Sequence, residues 1–244
     1  MELIGLNELK CSLASILEKA DAYRKGGARV PHIMMNLTQN NGQSAAADYV
    51  ASVLYENRLR KFCGLDLLLE YRPDGGLKNL RQMFADIRDN AVYTNEYEGV
   101  IAMDISALSE YINEYQVEYF TEQIKEVSRS ATLIIYYDDS LGKRMKQVKD
   151  MVSKAIGNCI DVYVTPYSLR DYSEIVVQSI KERGIEVDDG EDFEAELCDV
   201  VGRYGVSNVR QAVSVAEDLV FYADYSDLTP KLDIKAVSRH LICS

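Results

Sequence analysis

Leu37-Thr38-Gln39-Asn40-Asn41-Gly42-Gln43-Ser44 sets a glycine, an amide and a hydroxyl side by side. The apolar run His32–Leu37 leads into this window, and the alanine-rich segment Ser44–Tyr55 follows it. Such residues can hold an anion. A glycine lets the backbone turn tightly, successive N–H groups converge on one point, and a following helix contributes the positive end of its dipole. The pattern GxxxxGK[ST] does this for nucleotide phosphates, and Gly42 and Ser44 match its last glycine and its hydroxyl. Leu37 stands at the first glycine and Gln43 at the lysine. That second difference is chemical: lysine sets a full charge against the β- and γ-phosphates, whereas glutamine offers only a hydrogen bond. Losing that charge from a phosphoryl-transfer site costs on the order of several kcal/mol in the transition state. Asn-Asn-Gly between a strand and a helix is equally ordinary turn chemistry, so the window alone leaves both readings open.

Hydrophobic spacing predicts the elements that would position these groups. Leu9, Leu13, Ile16, Leu17 and Ala20 predict a helix over Leu9–Arg24, with Asn7 placed to cap it. His32–Leu37 predicts a buried strand and Ser44–Tyr55 a helix. Gly64–Leu69 reads as a strand, Tyr71–Gly76 as a loop, Leu77–Arg88 as a helix, and Gly99–Met103 as a short strand ending at Asp104. A long helix over Leu108–Ser128, a strand at Ala131–Tyr137, a helix at Gly142–Ser153 and a strand at Ile160–Val164 continue the alternation. Strands of the buried type alternating with helices imply an α/β fold, a parallel sheet sandwiched by helices. After Pro166 four amphipathic helices are expected with no strand between them: Leu169–Arg183, Phe193–Arg203, Val206–Tyr222 and Ile234–Ile242. The expected organisation is a core over residues 1–168 and a small all-helical domain over 169–244.

Composition bounds the function classes. The 244 residues are 47% hydrophobic and 27% charged, a globular balance with enough chain for a substantial core. The apolar runs are short and strand-like, so no membrane span is expected, and MELIGLNELK lacks the features of a signal peptide. Five cysteines (Cys11, Cys63, Cys159, Cys198, Cys243) show no CxxC pair. They are expected as reduced thiols in a cytoplasmic protein rather than a disulfide framework or zinc site. The net charge of −12 disfavours nucleic acid, which needs a basic face, though it admits a local basic patch or a basic protein partner. The acidic stretch Glu186–Asp199 reads as a solvated loop and helix start, and no metal ligand set is assigned. His32 and His240 have no matching nucleophile or acid.

The order of these features resembles the AAA+ ATPase module, in which a P-loop NTPase-like core is followed by a helical lid. Leu3-Ile4-Gly5-Leu6-Asn7-Glu8-Leu9-Lys10 is similar to the hIGLxxhK box that lies near the adenine. Val100-Ile101-Ala102-Met103-Asp104 is similar to the Walker B strand. Ala131–Asp138 sits where the sensor 1 strand belongs, and Cys159–Ser168 resembles the passage from core to lid. Ser207-Asn208-Val209-Arg210-Gln211-Ala212-Val213 is similar to the sensor 2 helix, with Arg210 at its arginine. LIIYYDD and VTPYS point to the CbxX-like branch, which includes red-type Rubisco activases and sporulation stage V protein K.

Departures from the family pattern fall on three separate functions. Gln43 replaces the Walker A lysine, and Ile105 replaces the Walker B glutamate that would orient the attacking water. Ser153-Lys154-Ala155-Ile156-Gly157-Asn158 has no arginine where this branch carries its fingers. The resemblance therefore implies a catalytically impaired, pseudo-ATPase module acting in protein binding, assembly or regulation. No catalytic residue is assigned. Ile4, Gly5, Gly42, Gln43, Ser44, Asp104 and Arg210 would form a vestigial nucleotide pocket, retaining ATP or ADP with Mg²⁺ only weakly. Ser44, Asp104 and Arg210 equally suit a helix cap, a strand-end hydrogen bond and a salt bridge. Tyr71 falls near a pore-loop aromatic of the branch but reads better as an exposed loop residue. The expected partner is another protein, such as an active AAA+ relative, or further copies of the chain. The start at the Ile4-Gly5 box and the end after the lid suit an excised domain. Two alternatives stay open: an active ATP-hydrolysing remodelling enzyme using Lys143, Arg144 or Arg210, and a DNA-associated module.

Overall fold

Residues 3–26, 28–60, 68–73, 76–92, 99–110, 113–187, 190–226 and 229–237 are described in a computed structural model of the chain. Helices α1 (Asn7–Leu17) and α2 (Ala20–Arg24) lead into β1 (His32–Asn36) and α3 (Gln43–Glu56). Strand β2 (Leu68–Tyr71), α4 (Leu77–Val92), β3 (Val100–Asp104), α5 (Ala107–Glu110), α6 (Glu114–Val127) and β4 (Thr132–Tyr137) follow. After a 3-10 turn come α7 (Lys143–Ile156), β5 (Cys159–Tyr163), α8 (Leu169–Glu182), α9 (Glu191–Arg203) and α10 (Val209–Val220). Strands β6 (Ala223–Asp224) and β7 (Lys231–Leu232) form a short antiparallel pair.

The described chain divides into two compact units. One comprises Leu6–Gln39 with Gln43–Val164, and the other comprises Met1–Gly5, Asn40–Gly42 and Thr165–Ser244. In the first, five parallel strands run in the order β2-β3-β4-β1-β5. Strands β3 and β4 are buried at every position and β1 at all but Asn36, as apolar runs covered on both faces should be. Met34, Met103, Ile135 and Tyr137 from the sheet pack with Leu80, Phe84, Phe120 and Val152 from the helices. The second unit has its own core, in which Val176 and Ile180 of α8 meet Leu197 and Val201 of α9 and Val215 and Leu219 of α10. Residues 234–237 are helical.

Several boundaries differ from the sequence expectation. The first helix is interrupted at Lys19 (φ −101°, ψ 9°), and it begins at Asn7 rather than after an Asn7 cap. Leu6, at φ 49°, occupies the capping position with no side-chain bond. The expected helix Leu108–Ser128 is two helices. Asn113 accepts from the Gln116 N–H at 3.0 Å while the Gln116 side chain accepts from the Asn113 N–H at 3.0 Å, a reciprocal cap that starts α6 afresh. The C-terminal part is helical apart from β6 and β7, strands that were not expected there. Tyr71 ends β2 instead of standing in a loop. Part of the expected strand Gly64–Leu69, along with Cys63, Cys243, His240 and the end of the last expected helix, falls outside the described residues.

Two buried polar groups tie the sheet unit together. Lys149 of α7 reaches Asp161 at 2.9 Å and donates to the hydroxyls of Tyr137 at 2.8 Å and Tyr163 at 3.1 Å. Burial alone would lower the Lys149 pKa, but these hydrogen bonds outweigh it and hold the ammonium charged. His32 opens β1, and its Nδ1 accepts from the Leu133 N–H at 3.1 Å. Burial, reinforced by Arg60 and Arg29, pushes its pKa down from 6.5 to about 4.

Replacing Lys149 by Ala is expected to cost about 2 kcal/mol in chemical unfolding, because the half-exposed Asp161 can recover part of its solvation. His32 is neutral in the folded state, so its contribution is complete above pH 6.5 and is lost as the pH falls toward 4. The shift corresponds to about 3 kcal/mol. Unfolding curves of His32→Gln should therefore change less than those of the natural protein between pH 6.5 and 4.5.

Candidate functional site

Asn36, Asp104 and Tyr137 end β1, β3 and β4, and open sheets of this kind place ligands beyond the carboxyl ends of their strands. Because β4 lies between β1 and β3, the chain leaving β1 has to cross the end of β4 to meet Asp104. It does so through the loop Leu37–Gly42, in which Asn40 (φ 67°) and Gly42 (φ 82°) adopt left-handed conformations that Asn and Gly accommodate. Helix α3 then starts at Gln43.

Gln43 and Asp104 are in contact. The buried Gln43 amide donates to the Leu37 carbonyl at 2.8 Å and to Asp104 Oδ2 at 3.0 Å. The other carboxylate oxygen, Oδ1, accepts from the Ser106 N–H at 3.0 Å. The Tyr136 hydroxyl, from the β4 position paired with Asp104, donates to the Gln43 carbonyl at 2.6 Å. Gln43 thus links both ends of its own loop to the end of β3 using neutral donors and one carboxylate. Ile105, at the position of a water-orienting glutamate, is fully buried. Ser44 is exposed beside this network.

The remaining expected site residues belong to the second unit. Gly5 (φ 66°) lies under Tyr167: a Cβ there would sit 2.7 Å from the Tyr167 ring, so both the backbone angle and the close approach require glycine. The Tyr167 hydroxyl would be 3.5 Å from a Cβ on Gly42, and its ring stacks on Tyr172 with centroids 5.6 Å apart. Burial, with Asp171 and Tyr172 nearby, holds the Tyr167 hydroxyl neutral by raising its pKa. The Arg210 backbone N–H, in the first turn of α10, donates to the Asn40 carbonyl at 3.0 Å, while its side chain is exposed. Ile4 is half-buried.

The structure brings Gln43 to Asp104 in one unit, and Gly5, Gly42 and the Arg210 backbone to a common neighbourhood in the other. Tyr136 and Tyr167 are the residues that sequence reasoning passed over. Both lie within segments singled out by the resemblance, but only tertiary contact reveals what they touch. A magnesium nucleotide fits this donor set poorly. The loop presents no cation to the phosphates, and the carboxylate that would hold a metal-bound water accepts hydrogen bonds at both oxygens. Among the described residues, no group of three or more His, Cys, Asp or Glu side chains could hold a metal ion.

Replacing Gln43 by Leu strands Asp104 Oδ2 in a buried site and is expected to cost about 1–3 kcal/mol in urea unfolding. In a double-mutant cycle with Asp104→Ala the two residues should couple by at least about 1 kcal/mol. Additive effects would show that the contact carries no energy.

No protein-family model and no curated protein matches the chain. Similarity emerges at the level of structure. The Thermotoga maritima RuvB Holliday junction branch migration motor aligns with a TM-score of 0.59 at 15% identity, covering 98% of this chain and 69% of RuvB. A point variant of the same protein gives 0.60 at 14% identity, over 99% and 70%. Domain III of the Thermotoga maritima replication initiation protein DnaA gives 0.53 at 12% identity, over 96% and 90%. With its five parallel strands, helical covering layers and helical C-terminal part, the chain has the fold of the AAA+ ATPases.

Proposed function

We propose that this chain is a pseudo-ATPase of the AAA+ fold, a module for protein binding, assembly or regulation that does not turn over nucleotide. The observation that carries this reading is the double hydrogen bond of the Gln43 amide to Leu37 and Asp104. In phosphoryl transfer the protein contributes positioning and charge. Here the loop offers no charge, the carboxylate at the strand end is already engaged, and Ile105 is apolar. Any residual ATP or ADP binding through Ser44, Asp104 and Arg210 would be weak.

The partners proposed are proteins, either an active AAA+ relative or further copies of the chain, and the setting proposed is the cytoplasm. Among the described residues no helix is long and apolar enough to cross a membrane. RuvB is a Holliday junction branch migration motor and DnaA a replication initiation protein, but a net charge of −12 opposes attraction to a phosphate backbone and weighs against a DNA-associated role here.

Steady-state assays with saturating Mg-ATP are expected to give no turnover above the buffer rate. Gln43→Lys, which restores the missing charge, should tighten ATP binding at least tenfold. Turnover in the natural protein that disappears in both Asp104→Ala and Arg210→Ala would instead establish a working ATPase with unorthodox groups.

A further inference from the structure

A concavity opens at the end of the sheet opposite the Gln43 loop. Open to solvent on one side, it has a volume of about 740 Å³, within the range of small-ligand sites, and its described lining belongs to the sheet unit. Five arginines line it: Arg24 ends α2, Arg29 precedes β1, Arg58 and Arg60 follow α3, and Arg129 follows α6. His32, which opens β1, is on its wall, and among the described residues no Asp or Glu lines it. A cleft of this sign is unexpected in a chain with net charge −12.

Part of this charge has a structural explanation. In a parallel sheet the preceding helices end near the amino edge of the strands, where their carbonyls favour cations. Arg24 serves that purpose, donating to the Asn57 carbonyl at 3.0 and 3.1 Å and pairing with Asp21 at 2.7 Å. Arg60 does likewise, donating to Thr132 Oγ1 at 2.6 Å and to the Leu59 carbonyl. Arg29, Arg58 and Arg129 are different. All three are exposed, and among the described residues no carboxylate pairs with any of them. Arg58 also holds a left-handed backbone (φ 55°), a conformation uncommon for its side-chain type. Burial depresses the His32 pKa and the nearby Arg60 and Arg29 add to the depression, so their positive charge is felt at the cavity wall.

We propose that this arginine-lined cleft binds a small molecule carrying adjacent phosphate groups. Guanidinium forks match phosphate oxygens two at a time, and several converging on one concavity suit a pyrophosphate-type group better than a single monoanion. The arginines converge on one concavity rather than along an extended stripe, which suits a compact ligand, and the net charge of −12 opposes a long polyanion. The site lies at the amino end of β1, roughly 13 Å from the carboxyl end by strand rise, so it is distinct from the Gln43 loop. Free pyrophosphate and the phosphate chain of a nucleotide share this chemistry.

Calorimetric titration of inorganic pyrophosphate into the intact protein, at two ionic strengths, tests the proposal. One-site binding in the micromolar range is expected, weakened at least tenfold in Arg29→Gln/Arg129→Gln and weakened also in Arg58→Asn, which tolerates the left-handed backbone. The imidazole resonances of His32 should shift along the same saturation curve, which keeps the result local to the cleft even if one variant folds poorly. ADP in place of pyrophosphate identifies the source: tighter binding through the same arginines indicates a nucleotide, equal binding a free phosphate chain, and both outcomes support the site. No saturable binding, binding indifferent to the arginine substitutions, or a shift-free His32 would overturn it. So would a 30-base-pair duplex that binds through these arginines while pyrophosphate does not.

Discussion

The hydrogen bonds from one glutamine side chain set the character of this molecule. Sheet order places β4 between β1 and β3, so the turn after β1 and the carboxylate ending β3 face each other across the end of β4. In a nucleotide-hydrolysing site of this fold that gap would hold phosphates and a metal ion, with a lysine and a carboxylate serving them. Here a neutral amide spans it, donating at 2.8 and 3.0 Å, and Tyr136 secures the Gln43 carbonyl from β4. A buried carboxylate needs partners, and Gln43 and the Ser106 N–H supply them from within the chain. The network is self-sufficient. That separates the fold, which these bonds support, from the chemistry that the fold supports elsewhere.

The proposed module without turnover is consistent with the packing around this network. Ile105 contributes to the hydrophobic core where a glutamate would have to face solvent and substrate. Tyr167 packs against Gly5 and approaches Gly42, filling space with an aromatic ring next to two glycines that the resemblance assigned to nucleotide. The arginine cleft obeys the opposite logic. Three guanidinium groups around one concavity, with no carboxylate partner among the described residues, repel one another, which a structural role alone does not require.

Much of the fold was legible because burial on both faces leaves an unmistakable trace. The runs HIMM, VIAM and TLIIYY admit no polar alternation, and each became a strand of the parallel sheet. Helix α3 was legible from its alanines and Val50 and Leu54. Interruptions were harder to see. The break between α5 and α6 turns on a reciprocal cap at Asn113 and Gln116, a local signal that the long apolar periodicity of the segment masked. Strands β6 and β7 have two residues each, too few for any period to register. For the site, Gln43 and Asp104 were both singled out, but their direct contact depends on strand order, which no single segment encodes. Tyr136, Tyr167 and the five arginines were invisible for the same reason. Arg24 and Arg129 are distant in sequence and line one cleft because parallel strands bring their amino ends to one edge.

The central claim is that the Gln43 amide, not a nucleotide phosphate, fills the loop's binding potential. The most direct test follows the Gln43 side-chain amide by ¹⁵N NMR, assigned by its loss in Gln43→Glu, during titration with Mg-ATP to millimolar concentration. The expected result is a slowly exchanging amide whose shift stays fixed throughout, including when resonances elsewhere in the protein respond. A Gln43 resonance that moves along a saturating curve would contradict the account, since nucleotide would then displace the bonds to Leu37 and Asp104 on which it rests.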